Sequence, residues 1–232
     1  MNLPNLLTLL RIFFVPLLVA ALVQESWGIE WGRQTVNNEI VALAIFLFAA
    51  ATDLLDGYLA RRWKQVTTVG TLLDPIADKL LISAALIVLV EKHLAPSWAV
   101  VVIIGREFII TGLRSVAASE GIIMQALGMG KIKMWAQCVA VVALLVCAAN
   151  GTPPVSNFGL DYPAAFWEVP EVQTAFANLL KFTITSNDWK VFGYLVGRGA
   201  LWVAVITAVW SMYGYFAFFL RERSQRPTNT DT

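Results

Sequence analysis

Six runs of about 20 predominantly apolar residues constrain the fold of this 232-residue chain more than any other feature. They lie approximately at residues 5–24, 40–60, 72–91, 97–118, 132–150 and 191–220. A helix rises about 1.5 Å per residue, so about 20 apolar residues are needed to cross the hydrocarbon core of a bilayer. The runs therefore predict an all-α integral membrane protein with six transmembrane helices, forming one membrane-embedded domain over residues 1–232.

The composition supports a membrane protein. Hydrophobic residues make up 58% of the chain and charged residues only 14%, against about 25% charged in soluble domains. The net charge of +1 excludes nucleic-acid binding based on bulk charge. The first run lacks a basic leader and contains Arg11, so we interpret it as a retained span rather than a cleaved signal peptide.

The distribution of Lys and Arg predicts the orientation of the chain. One set of span ends is rich in basic residues, namely Arg61, Arg62, Lys64, Lys131, Lys133, Arg221, Arg223 and Arg226. Basic residues mark the cytoplasmic side of a membrane, and an even number of spans leaves both termini there. We expect a multi-pass protein of a bacterial inner membrane, with its active site facing the cytoplasm.

Residues 151–190 form the long polar connection on the opposite, non-cytoplasmic side. Four prolines interrupt it, and the segment EVQTAFANLLKF has the pattern of a short amphipathic helix lying at the membrane interface. We expect this insertion to be a structural cap over the bundle rather than a catalytic element.

Four aspartates at regular spacing mark the candidate site. Asp53 and Asp56 stand at positions i and i+3 on one helix face, and Asp74 and Asp78 at i and i+4 on another. Carboxylates near the hydrocarbon region are costly unless compensated, which indicates a functional site. Carboxylate oxygens are ligands for Mg²⁺ or Mn²⁺, and two such ions can assist a phosphoryl displacement. The alternative, salt bridges to Arg61, Arg62 and Lys79, leaves more acids than bases.

The stretch from 53 to 78 resembles the signature of the CDP-alcohol phosphatidyltransferases. The matching positions are Asp53, Asp56, Gly57, Ala60, Arg61, Gly70, Asp74 and Asp78. The resemblance implies a membrane enzyme of six helices, usually a homodimer, that transfers a phosphatidyl group from a CDP-activated lipid to an alcohol and releases CMP.

The same resemblance implies roles for these residues. Asp53, Asp56, Asp74 and Asp78 would bind two divalent ions, and Asp78 would also be the general base. The CDP site would consist of Asp53, Asp56, Gly57, Ala60, Arg61 and Gly70.

A second polar group points to the acceptor alcohol. Arg106, Glu107 and Arg114 fall within one arc of the fourth helix, and Lys131 and Lys133 begin the fifth. Arginine binds phosphate through a planar fork and lysine adds a point charge, so these four cations predict an acceptor-phosphate pocket. Two alternatives stay open: Arg106 forms a salt bridge with Glu107 or with another helix, and the lysines are interfacial charges.

The runs PNLLTLLRI, REFIITGLRSVAASEG and GKIK resemble one branch of the family, the phosphatidylglycerophosphate synthases. That branch implies CDP-diacylglycerol as donor and glycerol 3-phosphate as acceptor. Inositol phosphate is an alternative acceptor that charge alone does not exclude. A divalent-cation transporter is a different class of function, but it predicts acids spread through the membrane and an inverted repeat, whereas these acids cluster at one end.

Three polar residues interrupt the first apolar run. Asn5, Thr8 and Arg11 recur at three-residue spacing and so share one helix edge. They either reach the active-site cavity or belong to an interfacial N-terminal anchor.

Overall fold

The structure is a computed structural model that describes residues 3–23, 30–31, 34–35, 38–63, 68–122, 124, 130–149 and 170–224. These ranges contain seven helices: α1 Leu3–Val23, α2 Asn38–Trp63, α3 Thr68–Glu91, α4 Ser97–Ser119, α5 Gly130–Ala149, α6 Pro170–Leu180 and α7 Ser186–Ser224. Two short strands, β1 Glu30–Trp31 and β2 Gln34–Thr35, pair antiparallel between α1 and α2.

The six predicted apolar runs are all helical, as α1 to α5 and α7. The all-α prediction is confirmed except for the two-residue strands. Among the described residues, two helices are long and apolar enough to cross a membrane, with candidate spans at Leu6–Val23 and Asn187–Ser224. Shorter apolar helical stretches in the described part of the chain lie at Asn38–Thr52 of α2 and Lys133–Ala149 of α5.

The predicted 151–190 connection needs correction at its end. Residues 170–180 form α6, as the amphipathic pattern predicts, and α7 begins at Ser186 rather than near 191. Thr185 precedes α7 and donates its backbone N–H and its hydroxyl to Asp188 Oδ2, both at 2.7 Å. These bonds, together with the bond from the Asp188 N–H to the Thr185 carbonyl, stabilise the first turn, so the helix starts earlier than apolar content alone indicates.

One continuous core joins the helices of the described chain. α1 packs on α2 and α3, while α5 and α4 pack along α7, and α3 contacts both groups. Fully or nearly fully buried residues at these contacts include Leu18, Leu22, Phe46, Leu86, Leu89, Ile103, Val141, Leu144, Leu201 and Ala204. Buried alanines such as Ala42, Ala85 and Ala140 allow the helices to approach closely, as in membrane bundles.

Three helices end with the same backbone turn. His93, Gly121 and Phe182 have φ of 57°, 69° and 53° and follow α3, α4 and α6. In each, the N–H of this residue bonds to the carbonyl three residues back, and the next N–H bonds to the carbonyl five residues back from itself. This Schellman motif normally carries glycine, because left-handed backbone costs other residues roughly 1–2 kcal/mol.

The contact between α5 and α7 gives a test of the packing. A Cβ at Gly197 of α7 would lie 2.6 Å from Leu144 Cγ and 3.3 Å from the Leu144 backbone nitrogen. We expect Gly197→Ala to destabilise the protein by about 1–3 kcal/mol, the usual cost of overpacking. Thermal unfolding in detergent measures it.

Gly199→Ala is the matched control, since it lies on the same helix and nothing would approach its Cβ within 4 Å. Alanine is the better helix former, so this variant should be neutral or stabilising. Equal behaviour of the two variants would contradict the close α5–α7 packing.

Candidate active site

A polar cavity of about 300 Å³ lies between α3, α4, α5 and the C-terminal half of α7. Its charged lining comprises Asp78, Lys79, Arg106, Glu107, Arg114 and Lys133, and its other lining residues include Ser83, Thr111, Gln137 and Tyr215. Four cations and two acids thus face one space within the described part of the chain. A cavity with this excess of positive charge is suited to an anion.

Arg106 is held rigidly at the wall of the cavity. It is only 8% exposed, although it is a charged side chain in the middle of α4. Its Nε and Nη2 donate to Ser211 Oγ of α7 at 2.9 and 2.7 Å, and its Nη1 donates to Glu107 Oε1 at 3.1 Å. The salt bridge to Glu107 considered as an alternative is therefore present, together with a fixed contact to α7.

Glu107 links the cations of two helices. Besides Arg106 on its own helix, it pairs with Lys133 of α5, whose side chain is buried. A buried charge is stable only when it is paired, and Glu107 supplies that partner to both cations. Burial against α4 shows that Lys133 is not a solvent-exposed interfacial charge. The side chain of Lys131 lies outside the described part of the structure.

Arg114 contacts the same α7 segment one turn further along. Its guanidinium lies 5.4 Å from the centre of the Tyr215 ring, and its Nη2 is 3.4 Å from the Tyr215 hydroxyl oxygen. Arg114 itself is exposed, while Tyr215 is buried. A cation over an aromatic face is held electrostatically. Arg114 is thereby oriented at the mouth of the cavity while remaining accessible to a ligand.

Gln137 of α5 lines the cavity with an unused donor. The residue is 6% exposed, and its Nε2 has no hydrogen-bond partner among the described residues. Leaving a buried donor unsatisfied costs about 1–3 kcal/mol, which a ligand oxygen would recover. Gln137 is thus a candidate ligand contact.

An apolar groove of about 450 Å³ adjoins the polar cavity. Residues of α2, α3 and α5 line it, including Phe46, Leu47, Leu81, Trp135, Cys138, Val139 and Val142. Asp78, Ile82 and Met134 line both spaces. The carboxylate of Asp78 therefore stands where a cation-rich cavity meets an apolar groove.

The other signature residues lie on the two helices that flank the 64–67 connection. Asp53, Asp56, Gly57, Ala60 and Arg61 are in the last turns of α2, and Gly70 and Asp74 are in the first turns of α3. The side chains of Asp53, Asp56, Arg61 and Asp74 lie outside the described part. Among the side chains that are described, no group of three His, Cys, Asp or Glu residues could hold a metal ion.

The polar edge of α1 turns toward the bundle. Thr8 and Arg11 are 1% and 0% exposed, and α1 packs on α2 and α3, which carry the signature. The side chain of Asn5 lies outside the described part. For Thr8 and Arg11, this burial disfavours an anchor at the interface.

A sequence profile of the CDP-alcohol phosphatidyltransferases matches residues 1–210. The chain belongs to this family. The match covers most of the chain and includes the signature on α2 and α3 together with the cavity residues of α4 and α5.

Three curated relatives carry the name CDP-diacylglycerol–glycerol-3-phosphate 3-phosphatidyltransferase. The Bacillus subtilis protein is 48% identical over 151 residues, covering 62% of this chain and 77% of its own. A Pseudomonas fluorescens protein is 38% identical, covering 72% and 80%. A Yersinia pestis protein is 37% identical, covering 78% and 98%. The chain is thus similar to all three transferases, and its match to the Yersinia pestis protein covers nearly the full length of that protein.

Enzymes of the CDP-alcohol phosphatidyltransferase family generally use divalent cations. The residues of this chain can supply ligands for such cations. The signature offers four carboxylates on adjacent helices, and Mg²⁺ or Mn²⁺ prefers oxygen ligands.

Proposed function

We propose that the protein transfers the phosphatidyl group of CDP-diacylglycerol to sn-glycerol 3-phosphate, giving phosphatidylglycerophosphate and CMP. The observation that carries this proposal is the position of Asp78, which lines both the cation-rich cavity and the apolar groove. A small anionic acceptor fits the first space and an acyl-bearing donor fits the second. Their reacting atoms would meet at Asp78, which among the described side chains is the carboxylate that lines both spaces.

The chemistry assigned to Asp78 is general-base catalysis. It takes the proton of the primary hydroxyl of glycerol 3-phosphate, and the oxygen attacks the β-phosphorus of the donor. The bond from that phosphorus to the bridging oxygen then breaks, and CMP leaves. A bound pair of divalent cations supplies charge neutralisation at the diphosphate. Asp53, Asp56, Asp74 and Asp78 are the residues that would hold them.

On this proposal, the signature residues bind the nucleotide of the CDP-lipid donor. Asp53, Asp56, Gly57, Ala60, Arg61 and Gly70 would form the CDP site, as the family signature implies. All of them lie close to the connection between α2 and α3, the helices that also line the apolar groove. The cytidine and the acyl chains would therefore extend in different directions from the diphosphate.

The acceptor phosphate is assigned to Arg106, Arg114, Lys131 and Lys133. Three of these cations, Arg106, Arg114 and Lys133, line the polar cavity in the described structure, and Gln137 adds a neutral donor. An acceptor without a phosphate, such as serine, would not need this excess of positive charge. Inositol phosphate would, but the three relatives described above are named for glycerol 3-phosphate as acceptor.

The membrane arrangement is part of the proposal. We propose that α1 to α5 and α7 are six spans, with both termini and the cavity on the cytoplasmic side of a bacterial inner membrane. The basic residues Arg221 and Arg223 at the end of α7 support this orientation. A homodimer is proposed from the family resemblance.

The decisive experiment is an acceptor panel. Purified protein in nanodiscs receives CDP-diacylglycerol, Mg²⁺ and one acceptor: glycerol 3-phosphate, inositol phosphate, serine, phosphatidylglycerol or glycerol. We expect CMP release with glycerol 3-phosphate and far slower release with glycerol, because glycerol lacks the charge that the cavity cations compensate.

The product identifies the reaction as well as the acceptor. Mass spectrometry should show phosphatidylglycerophosphate in an amount equal to the CMP. CMP release with inositol phosphate and with no other acceptor would show that inositol phosphate is the acceptor instead of glycerol 3-phosphate. A protein that releases no CMP with any acceptor would not be a phosphatidyltransferase.

A further inference from the structure

The end of the bundle farthest from the cavity carries an exposed apolar cluster. It lies at the turn between α6 and α7, and α7 begins some 25 residues before Ser211, or about 38 Å along the helix axis. The cluster consists of Leu179, Leu180, Phe182 and Ile184, whose exposed fractions are 41%, 82%, 93% and 39%. Such a group of large exposed apolar side chains usually marks an interaction surface.

The helix that carries part of this cluster, α6, is packed firmly against the rest of the bundle. Val172 and Ala175 on the other side of α6 are fully buried, and the rings of Phe176 and Phe192 meet edge to face at 5.6 Å. Asn178 Nδ2 donates to Asp188 Oδ2 at 3.1 Å, which ties α6 to the first turn of α7. The apolar side chains are therefore presented outward by a fixed support.

Phe182 occupies a position where the fold itself favours glycine. Its φ is 53°, and it completes the Schellman motif of α6 through bonds to Leu179 and from Thr183 to Asn178. A bulky residue at positive φ is an outlier, and strained residues concentrate at functional positions. The backbone gains nothing from this aromatic ring, and within the described chain the ring is almost fully exposed.

Large apolar side chains are also exposed along α7, the helix that follows the cluster in the chain. Trp189 is 66% exposed in the first turn, and Val196, Val203 and Ile206 are exposed further along the helix. α7 has 39 residues and so is about 58 Å long, nearly twice the roughly 30 Å thickness of the hydrocarbon core. Its ends must therefore extend into the interfacial regions, where tryptophan is enriched.

We propose that α6 and the turn 181–184 form a lipid anchor at the bilayer interface opposite the cavity. Leu180, Phe182 and Ile184 insert at the boundary between headgroups and acyl chains, and Lys181 lies among the lipid phosphates. The partner is the phospholipid surface, because the cluster directly precedes a helix apolar enough to span a membrane and contains the cation Lys181. The anchor fixes the depth of α7.

The test is a depth measurement at Phe182. In a background without Cys138 and Cys147, Phe182→Cys is labelled with an environment-sensitive fluorophore and reconstituted into nanodiscs. Thr174→Cys, exposed on another face of α6, is the matched control. Lipids brominated on their acyl chains should quench the label at 182 several-fold more than the label at 174. Equal quenching at the two positions, or none at 182, would overturn the proposal.

A second pair of measurements separates lipid contact from protein contact. Phe182→Gly removes both the ring and the backbone strain, so we expect an equal or higher thermal midpoint in nanodiscs. A label at Leu180→Cys should meanwhile lose part of its acyl-chain quenching in the Phe182→Gly background. A lower midpoint with unchanged quenching would show that the ring packs on protein. Efficient 182-to-182 disulfide crosslinking would show that a second copy covers it, and either result would overturn the anchor.

Discussion

Asp78→Asn should lower kcat for CMP release by at least ~10²-fold, the effect expected on loss of a general base. Asparagine has nearly the same shape but cannot accept the hydroxyl proton. Because Asp78 lines both the polar cavity and the apolar groove, the substitution acts where donor and acceptor would meet. Single-turnover CMP release measures the effect, with EDTA-treated wild type as the baseline.

The binding measurement decides how Asp78 acts. CDP-diacylglycerol affinity should change far less than kcat if Asp78 is chiefly the base. A loss of nucleotide affinity in proportion to the loss of rate would instead make Asp78 chiefly a metal ligand.

Glu39→Gln is the matched control for Asp78→Asn. It makes the same carboxylate-to-amide change, in a residue near the start of α2 that pairs with Lys92 at 3.2 Å. Glu39 lines neither the cavity nor the groove. Its activity should be close to wild type, so comparable losses in both variants would indicate general damage to the fold rather than loss of a base.

The helices and the chemistry of the site could be predicted from sequence because both depend on local patterns. Long apolar runs favour helices whatever their neighbours, and the spacing of Arg106, Glu107 and Arg114 places them on one helix face. The structure shows all three at the cavity wall. The signature aspartates are close in sequence, so a single helical hairpin suffices to bring their backbones near one another.

The residues that position those arginines could not be predicted in the same way. Ser211 and Tyr215 lie about a hundred residues from Arg106 and Arg114, and only the packing of α7 against α4 brings them together. A weak signal exists, because Thr207, Ser211 and Tyr215 recur every four residues in an otherwise apolar run. Gln137 likewise interrupts an apolar run. In a membrane helix, such a polar stripe predicts a face turned to the protein interior.

Apolar content alone does not locate the start of α7, because the first residues of this helix are polar. Thr185 and Asp188 have the spacing of a capping box, which is a local signal independent of hydropathy. The polar start of α7 also stabilises the packing of the helices, because Asp188 accepts a hydrogen bond from Asn178 of α6. Cap residues therefore define helix ends that lie outside the hydrocarbon region.

Arg114→Ala and Lys133→Ala should raise KM for glycerol 3-phosphate by roughly 10- to 150-fold, since a charge-assisted contact to phosphate contributes about 1.5–3 kcal/mol. Their KM for CDP-diacylglycerol should change little, because neither residue lines the apolar groove. Lys133→Ala also removes a partner of Glu107, whose carboxylate would then repel the acceptor. We therefore expect the larger effect from Lys133.

Lys92→Ala is the matched control, because Lys92 also pairs with a glutamate but lies away from the cavity.

Tyr215→Phe tests whether Tyr215 orients Arg114, without changing the charge of the cavity. It removes the hydroxyl beside Arg114 and keeps the ring beneath it. We expect a smaller rise in KM for Tyr215→Phe than for Arg114→Ala. If the two alanine variants at the cavity instead weaken use of the CDP-lipid, or if glycerol competes well with its phosphate, the cavity does not bind the acceptor phosphate.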